Sequence, residues 1–181
     1  MKNQIQKSLK LFKNLTLTGM MGAGKTTIGK KLAKKLNYNF VDIDKLIEIK
    51  EGLSINSIFK NKSENYFRKV ENEIVLKELK KNNSVISLGG GAFLDKSIRF
   101  CAKKTSVIFW LDVDINELVK RIKRPKKRPL LYKKNINDKM SELYLERKKF
   151  YNEADYRIKC TFLKSNEIAE KIIKLYEKSR N

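Results

Sequence analysis

The feature that most constrains the fold of this 181-residue chain is a glycine-rich run set between a strand pattern and a helix pattern. Residues 19–26 read Gly-Met-Met-Gly-Ala-Gly-Lys-Thr and match the pattern G-x-x-x-x-G-K-[ST] in full. A short strand pattern at 15–18, Leu-Thr-Leu-Thr, precedes the run, and Ile28, Leu32 and Leu36 follow it at helical spacing. Such a loop directs backbone N–H groups and a helix N-terminus at phosphate. The sequence therefore predicts a phosphate-binding loop (P-loop).

Two residues of this loop carry side-chain chemistry. Lys25 would place a positive charge on the β- and γ-phosphates of a nucleotide, and Thr26 would offer a hydroxyl ligand to Mg²⁺. An ordinary glycine-rich turn is the alternative interpretation.

Apolar strand patterns alternate with helix patterns along the whole chain. We expect strands at 15–18, 40–44, 84–88, 106–111 and 156–160, and helices at 26–36, 54–59, 64–81, 95–102, 114–122, 136–152 and 166–178. This alternation predicts an α/β fold, a three-layer α/β/α P-loop domain with a five-stranded parallel sheet that occupies residues 1–181. In such sheets ligands bind beyond the carboxyl ends of the strands.

Two acidic residues stand at the end of the second strand pattern. Asp42 and Asp44 are two positions apart, a spacing that puts both side chains on one face of a strand. Opposite a phosphate-binding loop, one carboxylate can hold Mg²⁺ through water while the other accepts a proton from a substrate hydroxyl. A helix N-cap beside a solvated acid is the alternative interpretation.

Three glycines, residues 89–91, follow the third strand pattern. Consecutive glycines cost backbone entropy but allow a ligand to approach bare backbone closely, although a plain loop would read the same way. Ser87 is the one polar side chain at the end of this strand that could touch a magnesium-bound water. We therefore expect Asp42 to supply the carboxylate of the magnesium site.

Arginine is the scarcer cation in a chain whose 42 basic residues are mostly lysine. Arg68 lies in the helix pattern at 64–81, Arg128 lies in a proline-bounded loop, and Arg147 lies in the helix pattern at 136–152. The planar guanidinium group matches carboxylate and phosphate bidentately. These three arginines are candidate ligand contacts, and a surface cation is the alternative for each.

Composition excludes several kinds of chemistry. The chain has no histidine, which excludes histidine acid–base catalysis, and its two cysteines lack metal-ligand spacing. No apolar run approaches the roughly 20 residues of a membrane span, and residues 1–14 lack the continuous apolar core of a signal peptide, so we expect a cytoplasmic protein. The net charge of +22 suggests a polyanionic partner, but lysines spread evenly along the chain argue against a nucleic-acid-binding face.

Taken together, these motifs resemble those of the shikimate kinases, small members of the nucleoside-monophosphate-kinase-like P-loop group. The resemblance runs from about Leu15 to about Ala169. The matching segments are Gly19 to Gly29, Phe40 to Asp44, Phe67-Arg68 with Glu71, Gly89 to Ala92, Trp110 to Asp112, Arg128 to Leu131, and Glu146-Arg147 with Tyr151 and Ala154. The P-loop occurs in many unrelated NTPases, whereas this set in this order is far more specific.

The resemblance implies transfer of the ATP γ-phosphoryl group to the 3-hydroxyl of shikimate, in aromatic amino-acid biosynthesis, with Mg²⁺ as cofactor. Carried over position by position, it implies that the phosphates are held by Gly22, Ala23, Gly24, Lys25, Thr26 and Thr27. Asp44 would bind the shikimate hydroxyls and polarise the reacting one. Arg68 and Arg147 would clamp the shikimate carboxylate, and Gly90 would donate a backbone N–H.

Arg128 would reach the ATP phosphates and stabilise charge in the transition state, so Asp44, Lys25 and Arg128 are the implied catalytic residues. Thr26 and Asp42 are the implied metal ligands. Residues from about 44 to 82 would form a substrate-binding subdomain, and residues from about 124 to 135 would form a lid.

Two alternatives remain open. Another small-molecule P-loop kinase, acting on gluconate or a nucleotide, would share the P-loop, although the Asp-x-Asp segment favours an acid that carries several hydroxyls. A basic nucleic-acid-binding protein with a vestigial P-loop would explain the charge, but intact Lys25 and Thr26 argue against it. We expect ATP and shikimate as the partners of a monomer, with no nucleic acid and no membrane.

Overall fold

The computed structural model describes residues 14–122, 129–131 and 135–179. Arg128 lies outside the described residues, as does most of the predicted lid at 124–135.

Strands and helices alternate through the described ranges. The strands are β1 (Asn14–Thr18), β2 (Asn39–Asp42), β3 (Ser84–Ser87), β4 (Ser106–Asp112) and β5 (Tyr156–Lys159). The α-helices are α1 (Lys25–Leu36), α2 (Ile43–Glu51), α3 (Ile55–Asn61), α4 (Glu64–Leu79), α5 (Lys96–Thr105), α6 (Ile115–Arg121), α7 (Ile136–Tyr151) and α8 (Ser165–Lys178). Short 3₁₀ turns occupy Ala92–Leu94 and Pro129–Leu131.

The five strands form one parallel sheet in the order β2-β3-β1-β4-β5. β1 is central and wholly buried, and β4 is buried from Ser106 to Leu111, because helices cover both faces of the sheet. The predicted α/β/α P-loop fold is confirmed. Since the chain moves to opposite sides of β1 in its two halves, the carboxyl end of β1 is the position where such folds bind ligands.

The region after β2 differs from the sequence prediction. The strand ends at Asp42, whose side chain caps α2 by accepting from the Lys45 N–H at 3.4 Å, and Asp44 lies in the first turn of that helix. The prediction that both carboxylates lie on one strand face is therefore wrong. The reason is that Ile43 and Ile47, four residues apart, are both fully buried, and burial of one helical face outweighs continuation of the strand.

Other helix starts follow the sequence more closely. Asp95 and Asp114 cap α5 and α6 as expected, with their carboxylates accepting from the N–H groups of Ser97 and Asn116. Between β2 and β3, helices α2, α3 and α4 pack on one another beside the carboxyl end of β1. Across the described ranges, no helix combines the length and the apolarity that crossing a membrane requires.

Candidate active site

A cavity of about 630 Å³ opens at the carboxyl ends of β1, β2 and β3. Its wall has two parts. We call the first the P-loop side, which consists of Asp42 and the loop residues 19–26, of which Met21, Gly22, Gly24, Lys25 and Thr26 line the cavity. We call the second the triple-glycine side, which consists of Asp44, Arg68, Glu71, Gly89–Gly91 and Arg147.

Backbone conformation explains the glycines of the P-loop side. Gly22 and Gly24 have φ angles of 82° and 90°, in the left-handed region that glycine adopts without strain. A Cβ on Gly19 would lie 2.6 Å from the carbonyl oxygen of Leu111, so a side chain there would collide with β4. The loop therefore needs these glycines to fold back between β1 and α1.

Lys25 is bound to the loop that precedes it. Its Nζ donates to the carbonyl oxygens of Gly19 and Met20 at 2.8 and 3.0 Å, and the side chain is largely buried. These bonds hold an ammonium group at the mouth of the loop, where a phosphate would meet it.

Thr26 and Asp42 lie together on the P-loop side. The Thr26 hydroxyl donates to Asp42 Oδ2 at 2.8 Å, and Ser87 lines the same cavity. Hydroxyl and carboxylate oxygens are the ligands that Mg²⁺ takes when waters and substrate phosphates complete its octahedron. No set of three or more His, Cys, Asp or Glu side chains clusters within the part of the chain that the structure describes. The residues present therefore fit a magnesium ion held mainly by phosphate and water.

Two carboxyl groups meet on the triple-glycine side. A Cβ on Gly89 would lie 2.5 Å from Glu71 Oε1 and 2.8 Å from Asp44 Oδ1, so both groups occupy the space that a side chain would fill. Asp44 comes from α2 and Glu71 from α4. The bare backbone of Gly89 thus lies directly beside two carboxyl groups, one of which, Glu71, has no role predicted from the sequence.

Glu71 is the more unusual of these acids. It is 2% exposed, and Arg68 Nη1 donates to its Oε2 at 2.6 Å. Burial raises the pKa of Glu71 to about 7, although the Arg68 guanidinium opposes the shift, and the charge of Asp44 adds to it. Its Oε1 is buried and has no hydrogen-bond partner among the described residues.

The two arginines approach the glycines from different helices. Arg68, on α4, lies 2.7 Å from the point where a Cβ of Gly91 would stand. Arg147, on α7, is 3% exposed and donates from Nη1 to the carbonyl oxygen of Gly90 at 3.1 Å. Its Nε is buried without a hydrogen-bond partner among the described residues. Arg147 is therefore not a surface cation, and it retains a buried N–H that an anionic ligand can accept from.

The structure thus brings together most of the residues that the sequence singled out. The cavity is lined by Gly22, Gly24, Lys25, Thr26, Thr27, Asp42, Asp44, Arg68, Gly90 and Arg147. Ala23 is buried within the loop and is not among the lining residues, so its contribution is a backbone one. Arg128 lies outside the described residues, and its role stays a prediction.

Glu71 and Tyr151 belong to the sequence motifs described above, but the sequence predicts a role for neither of them. Tyr151 is fully buried, and its hydroxyl donates to the carbonyl oxygen of Gly90 at 2.5 Å. A signal for each was available in its spacing, because Glu71 stands three residues after Arg68 and Tyr151 four residues after Arg147, which places each pair on one helical face.

Comparisons with known proteins agree on one family. The family model for shikimate kinase matches residues 21–177. The chain is 42% identical over 166 residues to the shikimate kinase of Caldanaerobacter subterraneus subsp. tengcongensis, covering 92% of this chain and 97% of that protein.

Solved structures give the same result. The shikimate kinase of Acinetobacter baumannii in complex with shikimate superposes with a TM-score of 0.90 at 32% identity, covering 95% of this chain and 97% of that one. A gluconokinase from Sinorhizobium meliloti reaches a TM-score of 0.57 at 15% identity, which is a likeness of fold alone.

Proposed function

The chain belongs to the shikimate kinase family, and we propose that it transfers the γ-phosphoryl group of ATP to the 3-hydroxyl of shikimate. The products are shikimate 3-phosphate and ADP, in the pathway of aromatic amino-acid biosynthesis. One observation carries most of the weight: a P-loop faces two guanidinium groups and a carboxylate across the bare backbone of Gly89–Gly91.

The P-loop side would hold the phosphoryl donor. Backbone N–H groups of residues 22–27 surround the phosphates, and the N-terminus of α1 adds its favourable dipole. Lys25 exchanges its two carbonyl partners for phosphate oxygens, which carry far more charge. ATP binding thus replaces internal hydrogen bonds by stronger ones.

The triple-glycine side would hold the acceptor. Shikimate is a carboxylate that carries three hydroxyl groups, so its site needs cations at one end and a hydrogen-bond acceptor at the other. Arg68 and Arg147 supply the cations, and the unpartnered Nε of Arg147 is a donor that the substrate carboxylate would satisfy. Asp44 accepts from the hydroxyls, and the N–H of Gly90 donates to the substrate.

The reaction itself needs little covalent help from the protein. The 3-hydroxyl oxygen attacks the γ-phosphorus, the bond to the β,γ-bridging oxygen breaks, and its electron pair leaves with ADP. The hydroxyl proton passes to Asp44. Lys25 and Arg128 stabilise the charge that spreads over the transferring group, and positioning of the two substrates supplies the rest.

Mg²⁺ belongs to this proposal as a ligand of ATP. When bound, it neutralises phosphate charge and orients the transferring group. Thr26 would hold it directly, and Asp42 would hold it through water, as their hydrogen-bonded oxygens suggest.

We also assign separate roles to two segments of the single domain. Residues from about 44 to 82, which include α2 to α4, form the shikimate-binding subdomain, and residues from about 124 to 135 form a lid that excludes water. Leu130, within that lid, lines the cavity. We also propose that the enzyme is cytoplasmic and acts as a monomer without nucleic-acid partners.

A coupled ADP-release assay tests the function directly. With Mg²⁺-ATP and shikimate, the protein is expected to release ADP far above the ATP-only background. Gluconate and nucleoside monophosphates serve as competing acceptors. A preference for any of these over shikimate, or no release with shikimate, would overturn the proposal.

Asp44→Asn tests the role of the acid. Loss of the proton acceptor is expected to lower turnover by about 10²–10⁴-fold while ATP binding is retained. Asp138→Asn, an exposed acid in the first turn of α7, is the matched control and should leave turnover unchanged. Retained turnover in Asp44→Asn would remove Asp44 from the proton transfer.

A further inference from the structure

Tyr151 lies between the two sides of the cavity although it does not line it. It is the last residue of α7, it is fully buried, and its ring packs against Trp110 with 5.7 Å between centroids. Its hydroxyl donates to the carbonyl oxygen of Gly90 at 2.5 Å and lies 3.8 Å from the sulfur of Met20. One hydroxyl thus contacts both the triple glycine and the P-loop.

The Gly90 carbonyl oxygen receives two donors. Tyr151 supplies one, and Arg147, one helical turn earlier on α7, supplies the other from Nη1 at 3.1 Å. A carbonyl oxygen has two lone pairs, so these two bonds use its full accepting capacity and fix the plane of the Gly90–Gly91 peptide. The positive charge of Arg147 acts on the Tyr151 hydroxyl as well, because it lowers the pKa of that phenol.

Space around Gly90 is as restricted as its hydrogen bonding. A Cβ on Gly90 would lie 3.3 Å from Arg147 Nη1 and 3.3 Å from the backbone nitrogen of Met21. The glycine is therefore held between a guanidinium group and the P-loop backbone. A shift of its carbonyl would move Arg147 relative to the phosphate-binding residues.

Tyr151 is suited to a constant structural bond because it does not ionise near neutral pH. Burial raises the pKa of its phenol to about 12, against the opposing charge of Arg147. The hydroxyl therefore remains a donor over the whole range in which a kinase of this kind would be assayed.

We propose that Tyr151 is a positioning residue for shikimate capture: by binding the Gly90 carbonyl beside Arg147, it holds the carboxylate-binding guanidinium at a fixed distance from the P-loop. The inference rests on the proposed function and extends it to a residue outside the cavity wall. Without the hydroxyl, the partly buried Gly90 carbonyl keeps only its bond from Arg147, so the Gly90–Gly91 peptide is held by one donor instead of two and the guanidinium loses its fixed position for the substrate carboxylate.

Tyr151→Phe removes the hydroxyl and keeps the ring that packs on Trp110. Losing one hydrogen bond to a partly buried carbonyl corresponds to about a tenfold change in an equilibrium constant, so the KM for shikimate is expected to rise about tenfold. The kcat should change less than about threefold, and the KM for ATP should stay near its wild-type value, because the P-loop side keeps its own hydrogen bonds.

Tyr176→Phe is the matched control. Tyr176 is also a fully buried tyrosine whose hydroxyl is bonded, at 3.3 Å to the hydroxyl of Tyr38, but it lies on α8 and is not among the residues lining the cavity. Both variants lose a buried hydroxyl and should lose similar thermal stability. Only Tyr151→Phe should raise the shikimate KM, so a purely structural role predicts no difference between them.

A double-mutant cycle with Arg147→Lys identifies the route of the effect. If Tyr151 acts through Arg147, the KM penalty of Tyr151→Phe shrinks in the Arg147→Lys background. An unchanged shikimate KM in Tyr151→Phe, or full additivity in the cycle, would overturn the inference. The proposed function would still stand in either case, provided that the wild-type protein turns over shikimate. A wild-type protein without shikimate turnover would overturn both together.

Discussion

The two sides of the cavity are built in opposite ways. The P-loop side comes almost entirely from one continuous segment, residues 19–26, whereas the triple-glycine side is assembled from α2, α4, the turn after β3, and α7. Polar groups of the P-loop side are paired internally: Lys25 donates to two loop carbonyls, and Thr26 donates to Asp42. The triple-glycine side leaves Glu71 Oε1 and Arg147 Nε buried without partners among the described residues.

This difference indicates where the protein gives up stability for function. Each buried polar atom without a partner costs about 1–3 kcal/mol, and a ligand that pairs with the atom recovers that energy. We therefore expect substitutions on the P-loop side to lower activity, and to lower stability as well where they break an internal hydrogen bond. Substitutions on the triple-glycine side should change substrate affinity, and some of them should stabilise the protein.

Lys25→Met should have the largest effect and would mark the P-loop side as the source of turnover. Removing a preorganised cation from the transferring phosphates is expected to lower kcat by about 10³-fold, and thermal stability should also fall because two loop carbonyls lose their donor. Lys35→Met is the control, because Lys35 is a half-exposed α1 residue that pairs with Glu170 on the surface. A kcat within tenfold of wild type in Lys25→Met would contradict the claim that the P-loop side is the source of turnover.

Glu71→Gln should have the next largest effect, which is a change in how the free energy of unfolding depends on pH. The folded-state pKa of about 7 is raised above the usual 4.5, so the unfolded chain releases its proton first as the pH rises. Wild-type unfolding free energy is therefore expected to fall by roughly 3 kcal/mol, relative to Glu71→Gln, between pH 4.5 and pH 7.5. Denaturant unfolding followed by the fluorescence of Trp110, the one tryptophan of the chain, measures this difference.

Glu73→Gln provides the reference for that experiment. Glu73 lies on the same helix, but it is half-exposed and pairs with Lys50. Its replacement should leave the pH profile parallel to that of the wild type. If the pH profile of Glu71→Gln is also parallel to that of the wild type, the buried carboxyl group of Glu71 does not destabilise the folded protein at neutral pH.

Arg147→Lys should have the smallest of the three effects, and it tests whether the triple-glycine side determines the affinity for shikimate. Lysine keeps the charge but loses the planar fork that binds a carboxylate with two hydrogen bonds. The KM for shikimate is expected to rise about 10-fold to 30-fold, with kcat changed by less than about threefold.

Arg157→Lys is the matched control for that substitution. Arg157 donates twice to Asp112 and is not among the residues lining the cavity, so its replacement should leave the shikimate KM unchanged. Equal KM values for wild type and Arg147→Lys would show that the buried Nε of Arg147 does not serve the substrate.

Local features of the chain could be read from the sequence alone. The P-loop depends on backbone conformations that glycine permits within a few residues, and the caps at Asp95 and Asp114 depend on hydrogen bonds that reach two or three residues along the chain. The alternation of strand and helix patterns likewise specifies the parallel sheet, because right-handed crossovers leave few other arrangements.

Asp44 is a residue whose placement could not be predicted from the sequence alone. Its position two residues after Asp42 predicts a shared strand face, but burial of Ile43 and Ile47 turns the segment into a helix and brings Asp44 to Gly89 by a different route. The residue type was informative, whereas its placement depended on which face of the segment the core would bury.

The sequence by itself determined the phosphate-binding loop and the α/β fold, and it singled out four charged residues that line the cavity: Asp42, Asp44, Arg68 and Arg147. Only the tertiary structure decided that Glu71 is buried against Arg68, that Arg147 keeps an unpartnered N–H, and that Tyr151 and Arg147 share the Gly90 carbonyl. The physical reason is the separation along the chain over which each kind of interaction acts. Backbone conformation and capping act over a few residues, whereas burial and desolvation depend on elements that are far apart in the chain and meet only when the sheet and its helices pack.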